Sequence, residues 1–218
     1  MTRESFDKEL GLLNEDLLKM ALLTKEQMHN AVVALVEQDG ELAEKVKEQD
    51  DVIDNLQQEI EDKCIKLIAK EQPLAIDLRT IFSTAKITQD LERMADHAVD
   101  IARIVIRLKD EKYIKPLVDI PKISKIVEKM ISSSIAAFID KDIVESYKIC
   151  KMDDEIDELY RSIFSQLLYL MSKDMSITNQ ASQLLFVIKY LERVADHATN
   201  ICEGTIYLVT GEYESLNR

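Results

Sequence analysis

Tryptophan is absent from this 218-residue chain, glycine occurs 4 times and proline 3 times. So few breakers leave few places to turn, which excludes a fold of many short strands and demands few, long elements. The cysteines, Cys64, Cys150 and Cys202, are odd in number, far apart and include no Cys-x-x-Cys pair. That speaks against a disulfide framework and predicts a reducing, cytoplasmic setting with the thiols packed as small apolar groups. No positively flanked apolar leader opens the sequence and no run approaches the length of a membrane span, so neither targeting nor membrane insertion is expected. Basic residues are in deficit: 28 Lys and Arg against 41 Asp and Glu give a formal net charge of −13. A nucleic-acid binder must neutralise phosphates, so this balance argues against one and leaves cations or a basic protein patch as charged partners. Also missing are a phosphate-cradling Gly-rich loop, a Gly-x-Ser-x-Gly turn and a Cys/His pair at ligand spacing. Nothing reads as a catalytic nucleophile.

What is present is helix. Apolar residues make up 46% of the chain and recur at three-four spacing. Phe6, Leu10, Leu13, Leu17, Met20, Thr24, Met28, Ala31 and Leu35 form one stripe, which Gly40 is expected to interrupt. Leu42, Val46, Ile53, Leu56, Ile60 and Leu67 predict a second helix ending near Gln72-Pro73, and a third starts there and runs to about Leu108. Pro116 and Pro121 mark a break over residues 109–121. Helices are then expected over about 122–140, 143–172 and 178–209.

The order of elements repeats, and so do the letters. Leu91-Glu92-Arg93-Met94-Ala95-Asp96-His97-Ala98 returns as Leu191-Glu192-Arg193-Val194-Ala195-Asp196-His197-Ala198, seven of eight positions matching at an offset of 100. Asp50-Asp51-Val52-Ile53-Asp54 lines up with Asp153-Asp154-Glu155-Ile156-Asp157 at an offset of 103. The predicted fold is all-α: two tandem antiparallel three-helix bundles related by an internal repeat, over 1–112 and 113–218. Each bundle carries its own apolar stripes, and the apolar content would allow a homodimer through a helix face.

Residues four apart drift by only about 40° around a helix. Glu92, Asp96 and Asp100 therefore make one carboxylate stripe, matched by Glu192 and Asp196, with Asn200 in the third place and Glu203 nearby. Asp50 with Asp54, and Asp153 with Asp157, are i, i+4 pairs on the preceding helices. Like charges at this spacing destabilise a helix, so building the arrangement twice invites an explanation. Acidic pairs facing each other across a groove would offer hard oxygen ligands to Mg²⁺, Mn²⁺ or oxygen-ligated iron. Acids at this spacing also make an ordinary solvated face, with Arg93, Arg103 and Arg193 offsetting the charge, and spacing leaves both readings open. His97 and His197 hold equivalent places beside the acids. Glu26-Gln27-Met28-His29 is the only Glu-x-x-His, and a ferritin-like di-metal centre needs two, so His29 reads as an ordinary helix residue.

Two three-helix units, each with an Asp-x-x-x-Asp pair and a Leu-Glu-Arg-x-Ala-Asp motif, resemble the PhoU family of phosphate-uptake regulators. Ile68-Ala69-Lys70-Glu71-Gln72-Pro73-Leu74-Ala75-Ile76-Asp77-Leu78-Arg79, Tyr190 to His197, and Asn200-Ile201-Cys202-Glu203 carry the likeness, which spans about Phe6 to Tyr213. The resemblance implies a cytoplasmic, non-enzymatic negative regulator of phosphate uptake and phosphate-starvation signalling. The partners it implies are the ATPase of a phosphate ABC transporter and a two-component sensor kinase. It also implies multinuclear metal held by Asp50, Asp54, Glu92 and Asp96 in one bundle and by Asp153, Asp157, Glu192 and Asp196 in the other, with Asp100 and Glu203 as outer ligands. The family's usual Gly before the motif aspartate is Ala95 and Ala195 here. A rival expectation from another class is a carboxylate-bridged metal-dependent oxidase or phosphohydrolase. An oxidase would want histidine ligands and a hydrolase an acid-base group outside the metal shell, and neither is evident.

Overall fold

The computed structural model describes residues 3–71 and 73–216. Six long helices carry the chain: α1 (Arg3–Glu37), α2 (Gly40–Glu71), α3 (Ala75–Leu108), α4 (Ile120–Asp140), α5 (Ile143–Lys173) and α6 (Thr178–Thr210). A 3-10 turn, Met175–Ile177, leads into α6, and there is no strand among the described residues. Within each half all three helices touch one another, so the chain forms two antiparallel three-helix bundles in tandem. Gln72, where α2 was expected to end, lies outside the described residues. Pro121 sits in the first turn of α4, where its missing N–H costs nothing. No helix of the described residues is long and apolar enough to cross a membrane.

The α1–α2 break is not made by Gly40, which is the first residue of α2. It is made by Gln38 in the left-handed region (φ 56°), followed by Asp39. The Asp39 carboxylate accepts from the backbone N–H groups of Glu41 and Leu42, both at 2.9 Å, and satisfies donors that a helix start leaves free. At an offset of 103 the same parts recur. Lys141 has φ 55°, and Asp142 accepts from the Glu145 N–H at 2.9 Å. The N–H of Asp39 donates to the Ala34 carbonyl as that of Asp142 donates to Ala137. The repeat thus extends into turn chemistry that the apolar pattern does not display.

The halves meet through equivalent helices, α3 against α6 and, less extensively, α1 against α4. α3 and α6 are consequently buried on nearly every side. Met94, Ala95, Ala98, Ile101, Ala102 and Val105 on α3, with Val194, Ala195, Ala198, Ile201 and Cys202 on α6, belong to one apolar core continuous through both bundles. Each large side chain in it contributes about 1.5–3 kcal/mol. The connection from α3 to α4 is strapped down from both sides. The Gln38 amide donates to the carbonyls of Leu108 (3.0 Å) and Glu111 (2.7 Å). Buried Gln180 on α6 accepts from the Ile114 N–H at 2.7 Å and donates to the Lys112 carbonyl at 3.1 Å.

Paired caps make a paired prediction. Asp39→Ala and Asp142→Ala should each lower the stability of the full chain by about 1 kcal/mol, read as a reduced urea midpoint with unchanged slope. Two unchanged midpoints would refute the capping roles.

Candidate functional site

The α2–α3 and α5–α6 faces each gather four carboxylates. In the first half Asp50 and Asp54 on α2 stand close enough to Glu92 and Asp96 on α3 for their charges to interact. Burial pushes the Asp50 carboxyl above its ordinary range, and Asp54 and Asp96 push it further. Burial likewise raises Asp54, with Asp96 adding to it, and Glu92, where Asp96, Asp54 and Asp50 all contribute upward. In the second half Asp153 and Asp157 on α5 face Glu192 and Asp196 on α6 in the same manner. Here the effect is stronger. Burial, then Asp196, Asp157, Glu192 and Asp154, push Asp153 up to about 7.

The halves differ because of one residue that sequence reasoning passed over. Gln27 on α1 is fully buried, and its amide donates to the Val46 carbonyl at 3.0 Å and towards Asp50 Oδ1 at 3.5 Å. That donor favours ionised Asp50 and partly opposes burial. At the repeat's offset of 103 the corresponding residue is Met130, which has nothing to donate. Asp153 Oδ1 is accordingly buried with no hydrogen-bond partner. The signal for Gln27 was present as a polar residue at i, i+4 with buried Ala31, beside the stripe that Thr24 and Met28 share.

Basic side chains lean on the edges of both grooves. Arg93 lies 3.5 Å from Glu92 and 3.0 Å from Asp96. Lys189 reaches both Glu192 oxygens at 2.6 Å, and Arg161 reaches Asp157 at 2.9 Å. With the acids so engaged, no three His, Cys, Asp or Glu side chains among the described residues stand close enough to clasp one ion. The donor set still suits a hard cation: four carboxylates in each groove, part-buried, mutually repelling, and in the second groove including an orphaned oxygen.

The outer candidates, Asp100 and Glu203, have further partners. Asp100 pairs with Arg103 at 2.9 Å and lies towards His97, 4.0 Å away. Glu203 accepts from the Leu216 N–H at 2.6 Å and lines a small cleft with Lys86, Tyr207 and Tyr213. The two histidines meet at the seam between the halves, their rings 6.0 Å apart. His197 Nδ1 lies 2.9 Å from Asp90 Oδ1. His97 stacks on Tyr190, the residue that the offset of 100 pairs with Asp90. Burial, and then His197, lower the His97 pKa to about 4, so it is neutral at physiological pH. His29 pairs with Glu128 across the α1–α4 contact at 3.1 Å, away from both grooves.

Comparison with known proteins agrees with the architecture. The family pattern described as "PhoU domain" matches residues 17–105 and again 120–205. The chain is 46% identical over 218 residues, all of both chains, to a Clostridium acetobutylicum protein named "Phosphate-specific transport system accessory protein PhoU homolog". It is 43% identical over 205 residues to the Aquifex aeolicus protein of the same name, covering 94% of this chain and 93% of that one. Among solved structures, PhoU from Pseudomonas aeruginosa superposes with a TM-score of 0.90 at 34% identity, over 95% of this chain and 100% of that one. The "phosphate transport system regulatory protein PhoU" of Streptococcus pneumoniae gives the same score and identity over 96% and 99%.

The raised carboxyl of Asp153 fixes a pH dependence. A folded-state pKa of about 7 above an ordinary unfolded value means the folded chain holds the proton more tightly. This contribution is therefore fully present below the unfolded pKa and is lost as pH rises through about 7. Asp153→Asn should make chelator-treated protein more stable at pH 8, by on the order of 1–2 kcal/mol after solvent screening, and flatten the decline between pH 4 and 8. A variant that declines with pH as steeply as the parent would remove Asp153 from the account.

Proposed function

This chain belongs to the PhoU family, and on that premise we propose that it is a cytoplasmic negative regulator of phosphate uptake and phosphate-starvation signalling. It acts as a metal-bearing adaptor on the ATPase of a phosphate ABC transporter and on the associated sensor kinase. The relatives' printed names support the transport part of this reading. The observation that carries the metal part is the four-carboxylate groove built twice, at the same places in the repeat.

In this reading Asp50, Asp54, Glu92 and Asp96 hold metal in one half and Asp153, Asp157, Glu192 and Asp196 in the other. Bound iron, Mn²⁺ or Mg²⁺ supplies positive charge and serves a structural end. The residues would do the rest: Glu92, Asp96, Asp157 and Glu192, now paired with Arg93, Arg161 and Lys189, would turn to the cation, and Gln27 would hold Asp50 in place. An adaptor of this kind works by binding one state of a transporter or kinase better than another, and needs no bond-making step. A carboxylate-bridged oxidase fits less well, because His97 is stacked on Tyr190 and His197 is engaged by Asp90 at the seam. Acidic surface meeting basic patches on the partners makes association weaken with salt.

Two measurements test the proposal. Deleting the gene should raise labelled-phosphate uptake in phosphate-rich medium, and joint charge-neutral changes at Asp50, Glu92, Asp153 and Glu192 should give a milder rise. Unchanged uptake on deletion, with no second copy of the gene, would sink the regulatory reading. Purified protein with added Mn²⁺ should show no sustained turnover of O₂ or a generic phosphoester. Turnover abolished by Asp96→Ala would favour the enzyme instead.

A further inference from the structure

α3 and α6 run antiparallel where the halves meet: Arg107 donates to Gln183 at 3.2 Å, His97 stacks on Tyr190, and Asp90 lies beside His197. The seam therefore has two ends related by the offset of 100. At one end stand Glu203 and Tyr207, met by the chain's own C-terminal segment. Tyr213 stacks on Tyr207 with ring centroids 4.1 Å apart, and the Leu216 N–H donates to Glu203. At the other end the counterparts of Glu203 and Tyr207 are Arg103 and Arg107, and both are exposed. Tyr113, the counterpart of Tyr213, turns away and donates to the Leu35 carbonyl on α1. Beside the two arginines Phe186 stacks on Tyr190 (6.3 Å between ring centroids) and Tyr190 on His97 (5.3 Å). Phe186, at the outer end of this run of rings, is 52% exposed. Arg193, also exposed, follows Tyr190 by one turn of α6. Asp100 lies at this end too, and Arg103 engages it at 2.9 Å.

We propose that Arg103, Arg107 and Arg193, with the Phe186 and Tyr190 rings, form a docking surface for an acidic segment of a partner protein that carries an aromatic or aliphatic anchor. The choice of partner, the transporter ATPase or the sensor kinase, rests on the adaptor reading. Charge selects the occupant. In a chain of net charge −13 an acidic segment is repelled over most of the surface and drawn to a face where arginines outnumber Asp100. Guanidinium forks match carboxylates and also lie on ring faces. Shape selects a protein over a small molecule. Small-molecule sites are concave, whereas Phe186, Arg103 and Arg107 stand out into solvent on two helices. Aromatic and arginine side chains grouped on such a face are the usual anchors of protein interfaces. The stripe from Gln183 to Arg193 is about 15 Å long, the span of about four or five extended residues. At its other end the seam already holds a segment of this kind, since Glu212-Tyr213-Glu214 reads acid, aromatic, acid. Having Arg103 and Arg107 in place of Glu203 and Tyr207 removes a repelling charge and adds two attracting ones.

The test uses the full chain, with the purified ATPase of the phosphate transporter and the purified sensor kinase of the same cell as probes. Arg103→Glu with Arg107→Glu should weaken binding of whichever probe the parent chain binds by about tenfold or more, and Phe186→Ala should weaken it at unchanged charge. Lys66→Glu with Lys70→Glu, an equal change of charge near the end of α2, should leave binding near the parent's. All three should melt as the parent does, because the replaced side chains are exposed. A photo-crosslinking residue at position 186 of the otherwise unaltered chain should join an acidic stretch of the probe, mapped by mass spectrometry. Undiminished binding by the arginine variant, or a crosslink to a stretch without acids, would overturn the docking surface and leave the adaptor reading standing. Binding of neither probe by the parent chain would remove the adaptor reading and the docking surface with it. ATP bound by the parent and not by the arginine variant would give the face to a nucleotide, and would equally overturn its assignment to a protein segment.

Discussion

Repulsion among carboxylates is the constraint on which the rest of this molecule depends. Helical spacing sets two acids four apart on one face, and the packing of α2 on α3 and of α5 on α6 brings two such faces together. The resulting groups raise one another's affinity for protons. An arrangement of this kind is held against its own charge by the apolar core beneath it, where Ile53, Leu91, Met94, Ile156, Leu191 and Val194 are fully buried. Arg93, Arg161 and Lys189 offset the charge from the rim, and the proposed cation would do so from within. The two grooves are not equal. Gln27 supports Asp50, whereas Asp153 has a buried oxygen without a partner, so the second groove has more to gain from a positive charge.

The seam between the halves shows the same departure from strict repetition. His97 and His197 face each other where α3 crosses α6, yet one neighbour is Tyr190 and the other Asp90. An internal repeat makes an approximate two-fold of this kind, and later divergence lets each side specialise. Stacking on an aromatic ring leaves His97 Nδ1 without a hydrogen-bond partner. The contact with Asp90 gives His197 one. Cys150 and Cys202 are another divergence, since the equivalent positions of the first half are Lys47 and Ala102.

Much of this was legible in the sequence because helical periodicity is a local property. The apolar stripes predicted six helices, the two offsets predicted two bundles, and i, i+4 spacing put Asp50 with Asp54 on one face of α2 and Glu92 with Asp96 on one face of α3. What escaped was set by contacts between helices. Nothing in the periodicity of α3 says that its far side meets α6, so spacing set His97 and His197 beside the acids without showing that their rings meet at the seam. Gln27 was passed over because a single glutamine in an apolar stripe acquires meaning only when α1 is known to back the Asp50 side of α2. Gly40 was credited with a break that Gln38 and Asp39 make, because a left-handed glutamine leaves no mark in composition.

The most direct test of the central claim is the melting temperature of chelator-treated protein as a function of Mn²⁺ concentration. The comparison is between the parent chain and the pairs Glu92→Gln with Asp96→Asn, and Glu192→Gln with Asp196→Asn. A cation that binds only the folded state stabilises it by mass action. The account predicts a concentration-dependent rise in the parent, a reduced rise in each pair, and higher metal-free stability in both. A full response in both pairs would contradict it and leave the carboxylates as a solvated face.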